Sequence, residues 1–324
     1  MTRKENEHTN GHELFNQEVH KIYVQDSERK AGIASPEVIA EAITYLHRDG
    51  IIVLENVVDP SHIDALEAKL GPEAEEIARN PDHHFNWNKG NMDQAPPLIL
   101  DLMFQDVWAN RIVVSVLSSI LGPSPVSHYA NGNTALKSTA RQPVHSDIDK
   151  PHPLYPFAYA VNIPLCDVSV ENGATEIWVG SHRDSNIEQH NQYADGEHDL
   201  TIKTELVEER RQHSPPVQPS TKKGSIILRD LRLWHAGMPN KATTPRIMLA
   251  FVIQPKWFQA PSKVLLPAKA KKLVQQWERD GLEYAAKWVD GDVDHKLVSS
   301  NEVDFSTGNK RLLELGEMMR PPVH

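Results

Sequence analysis

Three side chains of metal-binding type stand at spacings that could do chemistry. His145 and Asp147 lie two apart in Val144-His145-Ser146-Asp147, and His235 follows far downstream in Leu233-Trp234-His235. Read as a strand, the first pair points to one face of a sheet, because side chains alternate along an extended backbone. With His235 the set becomes two imidazoles and one carboxylate. Such a facial arrangement suits non-haem Fe(II): it grips the ion from one side and leaves positions open for other ligands and for dioxygen. Arg246 opens the apolar run Arg246-Ile247-Met248-Leu249 and offers a fixed guanidinium fork for a carboxylate. Two alternatives stay open. Asp149 lies one pleat beyond Asp147 on the same face. The chain also has 17 histidines, so a histidine two places from an acid also reads as an ordinary strand edge.

The elements that must position these groups are legible in outline. Ser35-Pro36-Glu37 is a helix start, with a capping serine and a proline at the first helical position, and the helix runs to about Arg48 before Gly50 stops it. Ile51 to Leu54 reads as a buried strand. Pro60 to Leu70, Pro72 to Arg79 and Val107 to Leu121 read as helices. From about residue 124 short strand-like runs take over: Val144 to Ile148, Phe157 to Leu165, Thr175 to Val179, Ser225 to Leu228 and Arg246 to Ile253. Strands after a helical first third predict a mainly β fold with flanking helices, a jelly roll or antiparallel double-sheet barrel. The expected organisation is a flexible segment over residues 1–20, then a single domain over 21–324 with its β core at about 124–255. The polar stretch from Arg183 to Pro219 is expected to be a mobile insert or lid. Ala268 to Val289 reads as an amphipathic helical region that Gly281 breaks.

Composition narrows the function. The chain has 324 residues, 39% of them hydrophobic, and a formal net charge of −10, which argues against nucleic acid or an anionic membrane as the main partner. No stretch is apolar over a bilayer's thickness, and no signal segment or peroxisomal tripeptide is read, so a cytoplasmic protein is expected. The lone Cys166 cannot form an internal disulfide and reads as a buried inert thiol.

A set of strings carries a resemblance. Pro143-Val144-His145-Ser146-Asp147, Val161-Asn162-Ile163-Pro164-Leu165-Cys166-Asp167, Glu171-Asn172-Gly173-Ala174-Thr175, Val179-Gly180-Ser181-His182, Lys223-Gly224-Ser225, Trp234-His235-Ala236-Gly237 and Pro245-Arg246 together resemble the phytanoyl-CoA dioxygenase (PhyH-like) branch of the Fe(II)- and 2-oxoglutarate-dependent oxygenases. The likeness spans roughly residues 40 to 260, closest to fungal members that tailor natural products. It implies the double-stranded β-helix, the cupin-like jelly roll. It further implies that His145, Asp147 and His235 bind iron and that Arg246 pairs with the distal carboxylate of 2-oxoglutarate. Thr175 stands where such members place a threonine near that co-substrate, or is simply a β-branched strand residue. Gln142 touches the co-substrate or caps the strand. One departure is Val179, where the family often has proline.

The implied reaction consumes 2-oxoglutarate and dioxygen, releases succinate and carbon dioxide, and oxidises a small organic molecule, a secondary metabolite, with ascorbate as reductant in vitro. Hydroxylation, desaturation and rearrangement are all within that chemistry. Asp147 argues against halogenation, for which relatives leave the carboxylate position empty. The alternatives are hydroxylation of an acyl-CoA, with Arg210-Arg211 or Lys222-Lys223 as phosphate clamps, and a non-catalytic jelly roll that binds a metal or ligand. A homodimer is possible through the C-terminal helical region and the tail Met318-Met319-Arg320. Other side chains have milder readings. His182 ties its turn to the backbone, His152 is a solvated loop histidine, and Tyr129 and Trp234 are core aromatics. His83-His84-Phe85-Asn86-Trp87 is a surface loop in preference to a substrate wall.

Overall fold

Strand parity explains the architecture. A computed structural model describes residues 18–301, 303–309 and 311. The chain starts with β1 (Lys21–Tyr23), α1 (Asp26–Ala31), α2 (Pro36–Asp49) and β2 (Ile51–Glu55). Then come α3 (Pro60–Ala78), β3 (Asn91–Asp93), α4 (Gln105–Trp108), α5 (Arg111–Leu121), β4 (Val126–Ala135), β5 (Tyr159–Pro164) and β6 (Glu176–Ile177). The hairpin β7 (His190–Gln192) and β8 (His198–Ile202) leads into α6 (Thr204–His213), β9 (Ile226–Asp230), β10 (His235–Ala236) and β11 (Met248–Gln254). The chain closes with β12 (Val264–Pro267), α7 (Lys271–Arg279), β13 (Glu283–Tyr284) and β14 (Ala286–Val289).

The larger sheet runs β1-β2-β9-β5-β11-β4-β13, with β3 on β4. Along its central strands alternate residues take opposite faces. Ile52, Leu54, Leu228, Val161, Leu249 and Phe251 pack with helix residues such as Leu46, Leu66, Val113 and Leu117. Their neighbours Ile51, Val53, Ile227, Arg229, Ala160, Asn162, Ala250 and Val252 face an internal cavity. A sheet buried on both faces needs near-continuous apolar strands, which is what β2 and β11 are. The smaller sheet is pieced together from β6 and β10 with single bridges of Val217 to Ile177, His145 to His235 and His145 to Thr201. Two such sheets around one cavity make the double-stranded β-helix that the strand pattern predicts.

Several local expectations hold and others do not. The Ser35 side chain accepts from Val38 N at the start of α2, and Gly50 ends it in the left-handed conformation at φ 75. A Cβ there would lie 2.4 Å from His182 Nδ1, so the position has no room for one. The two helices expected around Gly71-Pro72 are one, α3, which carries Pro72 inside it. The single helix expected over Val107 to Leu121 is broken. Asn110 caps α5 through Oδ1, which accepts from Ile112 N and Val113 N. The extended run Val144 to Ile148 makes only single bridges, held at Ile202 N to Val144 O (2.9 Å) and Ser146 N to Leu200 O (3.1 Å). The stretch 183–219 is not a loose insert. Its β7–β8 hairpin pairs with the His145 segment, and Ile202 and Val207 pack on Val144, Trp178 and Trp234. The late helical region is half right: α7 forms, but past Gly281 the chain pairs as β13 on β4 and β14 on β12. The sheet also draws β1, β2 and β13 from outside the predicted core of 124–255. The tail Met318-Met319-Arg320 and most of the 1–20 segment lie outside the described residues.

Candidate metal centre

His145 and His235 are cross-strand partners. Each donates its backbone N–H to the other's carbonyl, at 3.0 and 2.9 Å, so both side chains leave the smaller sheet at one level. Asp147, two residues on, is fixed by its backbone N–H to Leu231 O at 3.0 Å. Each imidazole then contacts a carbonyl two residues upstream. His145 Nδ1 is 2.9 Å from Pro143 O, and His235 Nδ1 is 3.0 Å from Leu233 O. Donation from Nδ1 selects the tautomer with a free lone pair on Nε2, the form a metal needs. Those Nε2 atoms stand 3.9 and 3.5 Å from Asp147 Oδ1, and one donor atom from each residue lies within 4.8 Å of the others. Among the described residues no other three His, Cys, Asp or Glu side chains converge in this way.

The protonation states suit a cation. Burial lowers the pKa of His145, and burial together with Arg229 and His145 holds His235 well below the ordinary imidazole value, so both rings are neutral donors. Burial alone would raise Asp147. The Arg229 guanidinium, by its charge and its hydrogen bond, outweighs it and holds the carboxyl far below the usual range. Two neutral nitrogens and one carboxylate oxygen, set on one side of an open space, fit Fe(II) in chemistry as well as in number.

These groups line a cavity of about 570 Å³ between the sheets. Arg246, Thr175 and Gln142 line it too. Arg246 is buried, donates Nη1 to Asn133 O and Nη2 to Gly173 O, both at 3.2 Å, and leaves Nε without a partner. Burial pulls its pKa down to about 10, and no carboxylate of the described residues is paired with it. Gly173 supplies its carbonyl from a left-handed turn at φ 84, where a Cβ would meet Met238 O at 2.7 Å. Gln142 Oε1 accepts from Gly237 N at 2.7 Å, which matches the strand-capping reading. Thr175 borders the cavity, and Asp149 lines it outside the metal cluster.

Residues the sequence left aside also belong here. Arg229, inside an apolar strand, donates Nη2 to Asp147 Oδ2 at 2.5 Å. The available signal was its charge at a cavity-facing position of a buried run. The stretch from His83 to Trp87 is a loop, with Trp87 45% exposed, and it also borders the site: His84, Asn86 and Trp87 line the cavity, and the Trp87 ring lies 4.3 Å from that of His145. Trp87 is held at φ 62, a backbone state that bulky residues avoid. Tyr129 lines the cavity as well, so its core-only reading is also corrected, whereas Trp234 is core and gives its indole N–H to Ser185 Oγ at 3.3 Å. His152 is a loop residue, as read, but only partly exposed. Its ring contacts Lys150 O and Ser185 O, and burial pulls its pKa down to about 4. His182 contacts His47 O at 3.1 Å, away from the cluster, as a backbone tie should. Cys166 is half-buried, and burial raises its thiol pKa. Lys222 and Lys223 are engaged by Asp167, Asp64 and Glu67. Arg210 donates to Val179 O, and Arg211 pairs with Glu208; the ion pairs of Lys222, Lys223 and Arg211 are exposed or partly exposed.

The model of the family described as phytanoyl-CoA dioxygenase (PhyH) matches residues 46–248. The chain belongs to that family. The PhyH domain shares its fold with EctD from S. alaskensis, solved with 2-oxoglutarate and 5-hydroxyectoine. The TM-score is 0.54 at 20% identity, over 86% of this chain and 93% of that one. It is similar in the same way to the epimerase SnoN in complex with Fe3+, alpha ketoglutarate and nogalamycin RO, with a TM-score of 0.51 at 15% identity over 69% and 86% of the two chains. This PhyH protein is a non-haem iron dioxygenase that uses Fe(II) and 2-oxoglutarate. No helix among its described residues is long and apolar enough to cross a membrane.

Proposed function

We propose that this dioxygenase hydroxylates a small organic molecule of the secondary-metabolite kind in the cavity between its sheets, with His145, Asp147 and His235 holding the iron. The observation that carries the reading is the meeting of the three donors in a cavity that also holds a buried guanidinium, Arg246, lacking a carboxylate. In this reading Arg246 takes the distal carboxylate of 2-oxoglutarate through its fork, and the unpaired Nε adds a further donor. Thr175 stands close enough to the same cavity to give its hydroxyl to a carboxylate oxygen. Bound Fe(II) supplies the activation of dioxygen, coupled to conversion of 2-oxoglutarate into succinate and carbon dioxide.

The chain's own part is placement and dryness. Pro143 O and Leu233 O orient the two imidazoles, while Ile51, Val53, Ile227 and Val252 keep water off the walls. Trp87 and Tyr129 present faces against which one C–H of the substrate is set. A cavity of about 570 Å³ is of the size that encloses a single small molecule.

The test is succinate release with Fe(II), 2-oxoglutarate and ascorbate across a metabolite library, read by mass spectrometry for a gain of one oxygen. His145→Ala, Asp147→Ala and His235→Ala are each expected to lose bound iron and turnover. Full activity in any of the three would remove that residue from the centre.

A further inference from the structure

Asp147 has two carboxylate oxygens, and one arginine divides them. Arg229 Nη2 donates to Oδ2 at 2.5 Å, while Oδ1 faces the Nε2 atoms of His145 and His235 at 3.9 and 3.5 Å. Arg229 sits on β9 opposite Ile51 of β2 and Ala160 of β5, so its backbone is held from both sides. Its side chain is buried, and Asp147 is its one carboxylate partner among the described residues. Arg229 Nη1 also lies 3.3 Å from His235 Nδ1. Because that nitrogen donates to Leu233 O, the contact is packing against the ring edge, not a second hydrogen bond.

A carboxylate can hold a cation through one oxygen or through both. Two imidazoles and a two-oxygen carboxylate fill four of six octahedral positions. Two-point chelation by 2-oxoglutarate then uses the remaining pair, and none is left for dioxygen. We propose that Arg229 is a positioning residue that keeps Oδ2 occupied, holding Asp147 to one-oxygen ligation so that the centre retains three exchangeable positions. The proposal rests on the triad assignment above. It does not make Arg229 an aid to metal affinity: a guanidinium beside a dication repels it, so removing the arginine leaves ion binding equal or tighter.

The test uses Mn(II) alone as probe and the full chain, with water-proton relaxation reporting the inner-sphere waters on the bound ion. Arg229→Met frees Oδ2, and the relaxation enhancement per bound ion should fall by about a third, from three waters to two. Arg229→Lys keeps a donor on Oδ2 and should match the parent protein. With 2-oxoglutarate then added to the Mn(II)-loaded proteins, one inner-sphere water should remain in the parent and none in Arg229→Met, while the affinities for 2-oxoglutarate and for Mn(II) are not reduced. If Arg229→Met does not fold, Arg229→Gln, neutral and too short to span the gap, is read the same way. A parent-like water count in the neutral variant overturns the proposal, as does loosened Mn(II) binding, which would mark Arg229 as merely structural. Absence of any enhancement in the parent protein is a different failure, since it removes the triad itself.

Discussion

Arg232 and Arg246 are buried to the same degree, 1% and 2% exposed, and partnered in opposite ways. Arg232 carries its counter-charge with it. Nε and Nη2 reach Asp230 Oδ1 and Oδ2 at 2.9 and 2.8 Å, and its backbone N–H adds a third bond to Oδ1 at 3.0 Å. This fork closes the short turn between β9 and β10 and so sets where His235 begins. Arg246 has only two carbonyls; each arginine also leaves one buried nitrogen without a partner, Nη1 in Arg232 and Nε in Arg246, so the difference is the acid. A buried cation whose acid is built in is scaffold. One without an acid, facing a cavity, is a socket for an anion that the fold does not supply.

That contrast can be broken at either end. The largest effect is expected from Arg232→Met, which strands Asp230 in the interior. Loss of about 3–5 kcal/mol should appear in urea unfolding, with Asp230→Leu in the same chain restoring much of it. A parent-like midpoint for Arg232→Met would show the fork to be ornamental. The same pair sets a pH response. Burial pushes the Asp230 carboxyl up, but Arg232 overrides it and the net pKa is lowered. A lowered folded-state pKa means the stabilisation is complete above the unfolded value, about 4, and is lost as pH falls from there through the folded value. The Arg232→Met protein should lose this component of its acid sensitivity.

Arg246→Ala should act on the co-substrate instead. Loss of a charged two-point contact, roughly 1.5–3 kcal/mol, raises the half-saturating 2-oxoglutarate by about ten- to a hundredfold. Turnover at saturation and the unfolding midpoint should move far less than in Arg232→Met. An unchanged 2-oxoglutarate requirement would erase the distinction between the two arginines. The smallest effect on stability is expected at Trp87. Its residue is 45% exposed and its φ of 62 suits glycine, so Trp87→Gly should shift stability by less than about 1 kcal/mol. It should weaken binding of the organic substrate while leaving 2-oxoglutarate kinetics alone; a parallel loss of both would place Trp87 against the co-substrate.

What was readable in the chain, and what was not, follows interaction range. The Ser35 cap, the Gly50 stop and the apolar run of β2 were legible because each is decided within a few residues. His145 and Asp147 were legible for the same reason, since a spacing of two fixes a shared face on any extended segment. The stretch 183–219 misled because its side chains are polar while its order comes from backbone bonds to the His145 segment, which side-chain composition does not report. The segment past Gly281 misled because its strands exist only where β4 and β12 offer edges. Trp87 needed a loop to be folded before it could be placed against His145.

By itself the sequence determined the local geometry: helix ends, strand parity and the paired donors. Only the tertiary structure decided which arginine meets which acid. Arg229 and Asp147 are 82 residues apart, whereas Arg232 takes the acid two places before it, and no local rule separates these fates. They are set by which strands lie side by side, and that is fixed by burial summed over both sheets, not by any one residue.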